Sequence, residues 1–132
     1  MAQLAAERGR FGACYGVLNV SDGQCDWHRS DQGYFYTPGG DHPGTAYRAR
    51  MFAPTAMTPE DPATGSATAM LAAQLLSSEH VADGAHRWQL EQGYEMGRPS
   101  ELHLQADVEG GRLMAVRVAG QAVRVMSGEL AQ

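Results

Sequence analysis

At 132 residues the chain carries material for one domain built around one core. Its 15 acidic and 10 basic residues leave a net charge of -5, with no basic cluster able to follow a phosphate backbone, so nucleic acid is excluded as a partner class. The two cysteines, Cys14 and Cys25, stand without a CxxC pair or a nearby histidine at ligand spacing, which argues against a metal site or a disulfide framework and fits a reduced, cytoplasmic setting.

In chain order, "AQLAAERG" reads as a short helix capped by Gly9, and "FGACYGVLNV" (Phe11 to Val20) as a strand that turns at "SDGQ" into "CDWHRS". The opening decapeptide has no long apolar run ahead of a small-residue cleavage site, so secretion is not signalled. "DQGYFYTPGGDHPG", residues 31–44, is dense in Gly and Pro and is expected to be the longest irregular segment. "TAYRARMFAP" then alternates Ala46, Arg48 and Arg50 against Tyr47, Ala49 and Met51, as a strand does. The longest uncharged apolar run, Ala63 to Ser78, is short for a membrane span and carries Thr64, Gly65, Ser66, Thr68 and Gln74; it reads as a buried helix from Ser66 to Ser78. "ADGAHR" is a loop. Four period-2 segments follow: "RWQLEQG", "ELHLQADV", "RLMAVRVA" and "AVRVMSGE". Leu102, Leu104 and Ala106 share one face of the second, Met114, Val116 and Val118 one face of the third, and Val123 and Val125 one face of the fourth. "EGG" at Glu109 to Gly111 supplies a tight hairpin turn, and the whole predicts an antiparallel meander.

A helix that is apolar nearly all round must be covered on most of its circumference, and a one-faced sheet needs something on its dry side. The expected fold is therefore α+β: a curved, mostly antiparallel sheet or partial barrel wrapped around a central apolar helix, one domain over residues 1–132.

The mouth of that helix, "PEDPATGSA", is unusually polar. A structural reading makes Asp61 the N-cap, places Pro62 at the first helical position, and lets Thr64 and Ser66 satisfy the remaining amides. A chemical reading notes that Gly65 is a poor helix residue, but one that lets backbone amides approach a bound group. Free amides at the positive end of a helix make an anion site, and an adjacent acid can move a proton on a bound carboxylate.

"RMFAPTAMTPEDPATGSATAMLAAQLL", "EQGYEMGRPSELHL" and "VRVAGQAVRVMSGEL", in that order, resemble the C-terminal half of the phenazine-biosynthesis (PhzF-like) family, which shares its fold with diaminopimelate epimerase. The resemblance implies a two-domain enzyme fold with the active site where two helix N-termini meet. It also implies isomerase chemistry by proton transfer on a small carboxylic or amino acid, without metal or cofactor. By the same resemblance Asp61 is the active-site aspartate and Ser66 a substrate-contacting residue. Ala63, Thr64, Gly65 and Ser66 together form an amide-lined pocket, with Glu60 and Arg98 as supporting residues. The family's first domain, which brings a glutamate and a histidine in a Gly-His context, has no counterpart in these residues. A homodimer or a complementary domain is therefore expected to complete the cleft. "GGDHPGTA" only superficially matches the Gly-His context, and His42 is read as a decoy; His80, His86 and His103 read as surface residues, and Trp27 and Trp88 as packing. The competing functions are a non-catalytic small-acid-binding or interaction module, and a truncated, inactive half.

Overall fold

The computed structural model describes residues 32–53, 59–79 and 81–129. The expected first helix, the hairpin around "SDGQ", both cysteines, Trp27 and His80 lie outside them. The described elements are β1 (Gly33–Pro38), β2 (Tyr47–Phe52), β3 (Glu60–Asp61), α1 (Gly65–Ser78), β4 (Gly84–Gln92), β5 (Ser100–Glu109) and β6 (Arg112–Gly120). The α+β class follows, with one helix and one mixed sheet.

The sheet runs β1-β2-β4-β5-β6, with β3 paired to β2 off that path. Every pairing is antiparallel except β2 with β4, whose parallel register sets Tyr47 opposite Leu90 and Ala49 opposite Gln92. A parallel neighbour requires a crossover, and α1 lies in it between β3 and β4. This crossover was not visible in the strand alternation. It brings the end of β4, the end of β2 and the start of α1 to one corner.

β1 overturns the expectation of irregular chain over residues 31–44. Tyr34, Phe35 and Tyr36 are all buried, and the strand pairs along its whole length with β2. The Gly and Pro residues that dominate the composition bracket the strand instead of interrupting it, and Pro38 sits at its end on a strand that is an edge among the described residues. Edge-to-face contacts of Tyr36 with Tyr47, centroids 5.5 Å apart, and of Phe35 with Phe52, 5.9 Å apart, tie the two strands together. The β2 alternation is as expected, with Tyr47, Ala49 and Met51 buried.

Helix α1 buries Ala67, Thr68, Leu71, Ala72 and Leu75, one stripe at helical spacing, and packs on β5 and β6. The expectation of cover on most of its circumference is not met among the described residues, since Met70, Ala73 and Ser77 are exposed. Leu90, Leu102, Leu104 and Ala106 face the helix stripe from the sheet and complete the core.

The "EGG" turn forms as expected, with φ of 56° at Gly110 and 70° at Gly111. Both of its amides donate to the Asp83 carboxylate, at 2.7 and 3.0 Å, which ties the chain before β4 to the far hairpin. Two details of the meander differ from the alternation. A bulge opposite Asp107 and Val108 makes Met114 an extra residue, so Leu113, not Met114, joins Val116 and Val118 against the core. The fourth segment is no strand: residues 121–129 have no regular structure and are exposed throughout, Val123 at 85% and Val125 at 82%.

Candidate functional site

The short strand β3 pairs Glu60 with Phe52 and Asp61 with Met51, and this delivers the chain to the amino end of α1. Thr64, not Asp61, is the N-cap residue, with φ -107° and ψ 92°. Its side chain caps nothing. The hydroxyl instead donates backwards to Asp61 Oδ2 at 2.6 Å, while the Thr64 carbonyl accepts from the Thr68 amide and hydroxyl at 3.1 and 2.8 Å. The structural reading of the helix mouth therefore fails in its details: neither Asp61 nor Thr64 is spent on the helix amides. The first turn has no acidic residue, and Ala63, Gly65 and Ser66 are exposed while Ala67 is buried. An uncapped, solvent-facing helix start beside a fixed carboxylate is a place where an anion can be held.

Three consecutive residues at the end of β4, Glu91, Gln92 and Gly93, build that corner. Gln92 is fully buried and uses both ends of its amide. Its Oε1 accepts from the Thr64 amide at 3.2 Å, and its Nε2 donates to the Asp61 carbonyl at 2.7 Å and to Thr64 Oγ1 at 2.9 Å. Because Gln92 donates to the Thr64 hydroxyl, the hydroxyl's own proton is directed at Asp61, so one side chain sets the orientation of both. Gly93 has φ 79°, and a Cβ there would meet the Arg98 carbonyl and, at 2.8 Å, that of Pro62. Only glycine allows the "EQG" turn to press against the "DP" segment.

Glu91 is also fully buried. It accepts from the amides of Asp41 and His42 at 2.9 and 2.8 Å, from the Thr45 hydroxyl at 2.8 Å and from Arg48 at 2.7 Å. Burial alone would push its carboxyl up, but these four donors outweigh it and hold the group down at about 2. Arg48 is shared with Asp41 and Glu95, each at 3.0 Å, and lies 4.1 Å over the Tyr94 ring.

Of the supporting residues, Glu60 is bound by Arg50 in a two-point pair at 2.9 and 3.0 Å, which neutralises it. Arg98 is exposed; its backbone amide closes the turn onto Gly93 at 2.8 Å, and its guanidinium makes no ion pair among the described residues. Ser66 is exposed at the helix start. His86 stacks on Trp88 with centroids 5.5 Å apart and binds the Ala82 carbonyl at 2.7 Å, a packing role for both. An open groove of about 420 Å³ adjoins the helix mouth, lined by Ala63, Tyr94, Glu101, Leu102, Gln121 and also His42.

Sequence reasoning missed Glu91 and Gln92 as site-building residues. Alternation from Leu90 puts Glu91 on the wet side, whereas Leu90, Glu91 and Gln92 are all buried because loop 39–45 covers the second face of the strand end. The clue within the sequence was the adjacency of "EQG" to "MGRPS" in a segment already singled out. Among the described residues no group of three or more His, Cys, Asp or Glu is gathered as metal ligands would be, and no helix is long and apolar enough to cross a membrane.

Comparison with known proteins gives the family. The chain is 43% identical over 86 residues to an uncharacterized isomerase of Mesorhizobium japonicum, covering 65% of this chain and 28% of that protein. It is 38% identical over 85 residues to the trans-2,3-dihydro-3-hydroxyanthranilate isomerase of Pseudomonas aeruginosa, covering 64% and 30%. It is also 38% identical over 91 residues to an uncharacterized isomerase of Deinococcus radiodurans, covering 67% and 29%. The chain thus spans under a third of the length of these relatives. The model of the phenazine biosynthesis-like protein family matches residues 25–128, most of the chain, and the chain belongs to that family.

Proposed function

We infer that this chain carries half of an isomerase site for cofactor-independent proton transfer on a small carboxylic or amino acid. The observation that carries the reading is the uncapped start of α1, exposed beside an Asp61 carboxylate that Thr64 holds at 2.6 Å. The substrate carboxylate accepts from the amides around Gly65 and Ser66, with Ala63 and Thr64 shaping the approach. Asp61 takes a proton from substrate carbon, and a second acid returns one to a different carbon or face, so the composition of the substrate is unchanged. The names of the relatives support this, since a trans-2,3-dihydro-3-hydroxyanthranilate isomerase is by name an isomerase of a ring-bearing amino acid.

The second acid comes from another domain or from a second copy facing this one, in a diaminopimelate epimerase-like arrangement where two helix starts meet across a cleft. Glu60 is a poor candidate for it, because Arg50 neutralises its charge. Arg98, exposed and with no ion pair among the described residues, is better suited to a substrate carboxylate than to the loop carbonyls.

Incubation of candidate amino and hydroxy acids with the chain in heavy water tests the reading. Deuterium at carbon, read by mass spectrometry and abolished by Asp61→Asn, supports turnover. Saturable binding without exchange favours the non-catalytic small-acid module.

A further inference from the structure

The inference concerns loop 39–45 and rests on the reading of the helix mouth as a small-acid site. This loop is held more firmly than an exposed connection requires. Three of its polar groups and the neighbouring Arg48 are organised by one buried carboxylate: Glu91 takes the Asp41 and His42 amides and the Thr45 hydroxyl, at 2.8 to 2.9 Å, together with Arg48 at 2.7 Å. The Gly39 amide closes the loop base onto the Ala46 carbonyl at 2.8 Å. At Gly40 there is no room for a side chain, since a Cβ would lie 2.5 Å from Thr45 Cγ2 and 2.7 Å from Glu91 Oε2. Taking a carboxylate out of water is costly even when it is fully paired, and replacing such an arrangement by apolar packing is often neutral for stability. A buried acid that does nothing but pin one exposed loop is therefore better explained by what the loop presents.

What it presents is His42. Its backbone amide is consumed by Glu91, and its imidazole lies on the wall of the groove that also contains Ala63 at the helix mouth, with Tyr94 and Glu101 as neighbours in the wall. The ring makes an edge contact with Tyr94, centroids 6.0 Å apart and planes at 66°, and the Tyr94 ring is fixed in turn by Arg48 at 4.1 Å. No hydrogen bond to the imidazole nitrogens forms among the described residues. A ligand seated with its carboxylate at the helix mouth has its remaining body in this groove, against one ring, one imidazole and one carboxylate.

We propose that His42 is a ligand-contacting residue of the groove, hydrogen-bonding the polar substituents of a small ring-bearing acid, and that Glu91 is its positioning residue. The Gly-His likeness of "GGDHPGTA" plays no part in this; the assignment comes from where β4 and loop 39–45 meet.

The test titrates the full 132-residue chain with 2-aminobenzoate while recording the Ala63 methyl and His42 imidazole NMR signals. Both signals should move along one binding curve, His42→Ala should weaken binding about tenfold, and His42→Gln should keep most of the affinity. Glu91→Gln should leave the Ala63 response in place but weaken that of His42. Should that variant fail to fold, Thr45→Val removes a single anchor of the loop and should give a smaller effect in the same direction. Movement of Ala63 alone, with His42→Ala binding normally, overturns this inference and spares the helix-mouth reading. Movement of His42 alone upholds the contact and overturns the helix-mouth reading, and a response at neither signal up to millimolar ligand overturns both.

Discussion

Two regions of this molecule invert the usual distribution of residues in opposite ways. The corner where β2, β3, β4 and the start of α1 meet buries polar groups: Thr64, Thr68, Glu91 and Gln92 are all inside. The bulge of β6 and the segment 121–129 expose apolar ones: Met114, Val123, Val125 and Met126 are all more than half accessible. At the corner each buried polar atom has a partner, and among the described residues no buried side-chain nitrogen or oxygen lacks one. Directional bonds between buried groups fix positions to fractions of an ångström, which is what a site needs. Along the segment 121–129 the alternating pattern is present but none of the described residues covers it, and an apolar face without a cover is a surface for association.

Gly93→Ala should break the corner most severely, because it forces a side chain into a φ of 79° and against the carbonyls of Arg98 and Pro62. A loss of about 4 kcal/mol is expected, read as a lower urea midpoint. A near-neutral result would mean that the "EQG" turn is free to move and that the corner is not rigid.

Acid should reach the corner next. The folded-state carboxyl of Glu91 sits below its ordinary value of 4.5, at about 2, so the folded state favours the ionised form more than the unfolded state does. Its contribution is whole above pH 4.5 and is lost as the pH falls from there towards about 2. Equilibrium unfolding across that window should show the wild type losing stability that Glu91→Gln has already lost, about 3 kcal/mol. Parallel curves for the two proteins would show that Glu91 is not the anchor of loop 39–45.

The smallest effect on stability should come from the other region. Val123→Ser with Val125→Ser should change the urea midpoint by no more than about 0.5 kcal/mol, since both side chains are over four-fifths exposed. The same pair should reduce self-association measured by sedimentation. A stability loss beyond about 1 kcal/mol would mean that the segment packs on its own body, and the contrast between the two regions would collapse.

The same contrast explains what could be read from residue types. The β2 alternation, the Ser66 to Ser78 helix to within one residue, the tight turn at Gly110 and Gly111, and the buried face of Leu102, Leu104 and Ala106 were all legible, because each depends on local spacing or on a backbone conformation. The helix mouth was legible as a place, from "EDPATGSA", but not in its bonding: Asp61 was expected to cap the helix, whereas it accepts from Thr64. β1 was hidden by flanking Gly and Pro. The 121–129 segment looked like a strand because alternation records which residues could line a dry face, and cannot record whether a neighbour exists to pair with them.

By itself the amino-acid sequence determined the α+β class, the helix, most strand faces and the family motifs, since these follow from periodicity, backbone permission at glycine and side-chain chemistry along a few neighbouring residues. Only the tertiary structure decided that Glu91 and Gln92 are interior, that Thr64 faces Asp61 and that His42 shares a groove with Ala63. The physical reason is the parallel pairing of β2 with β4 across α1. It joins segments some 30 to 50 residues apart, and the environment of each polar group is created by that encounter, not by its neighbours in the chain.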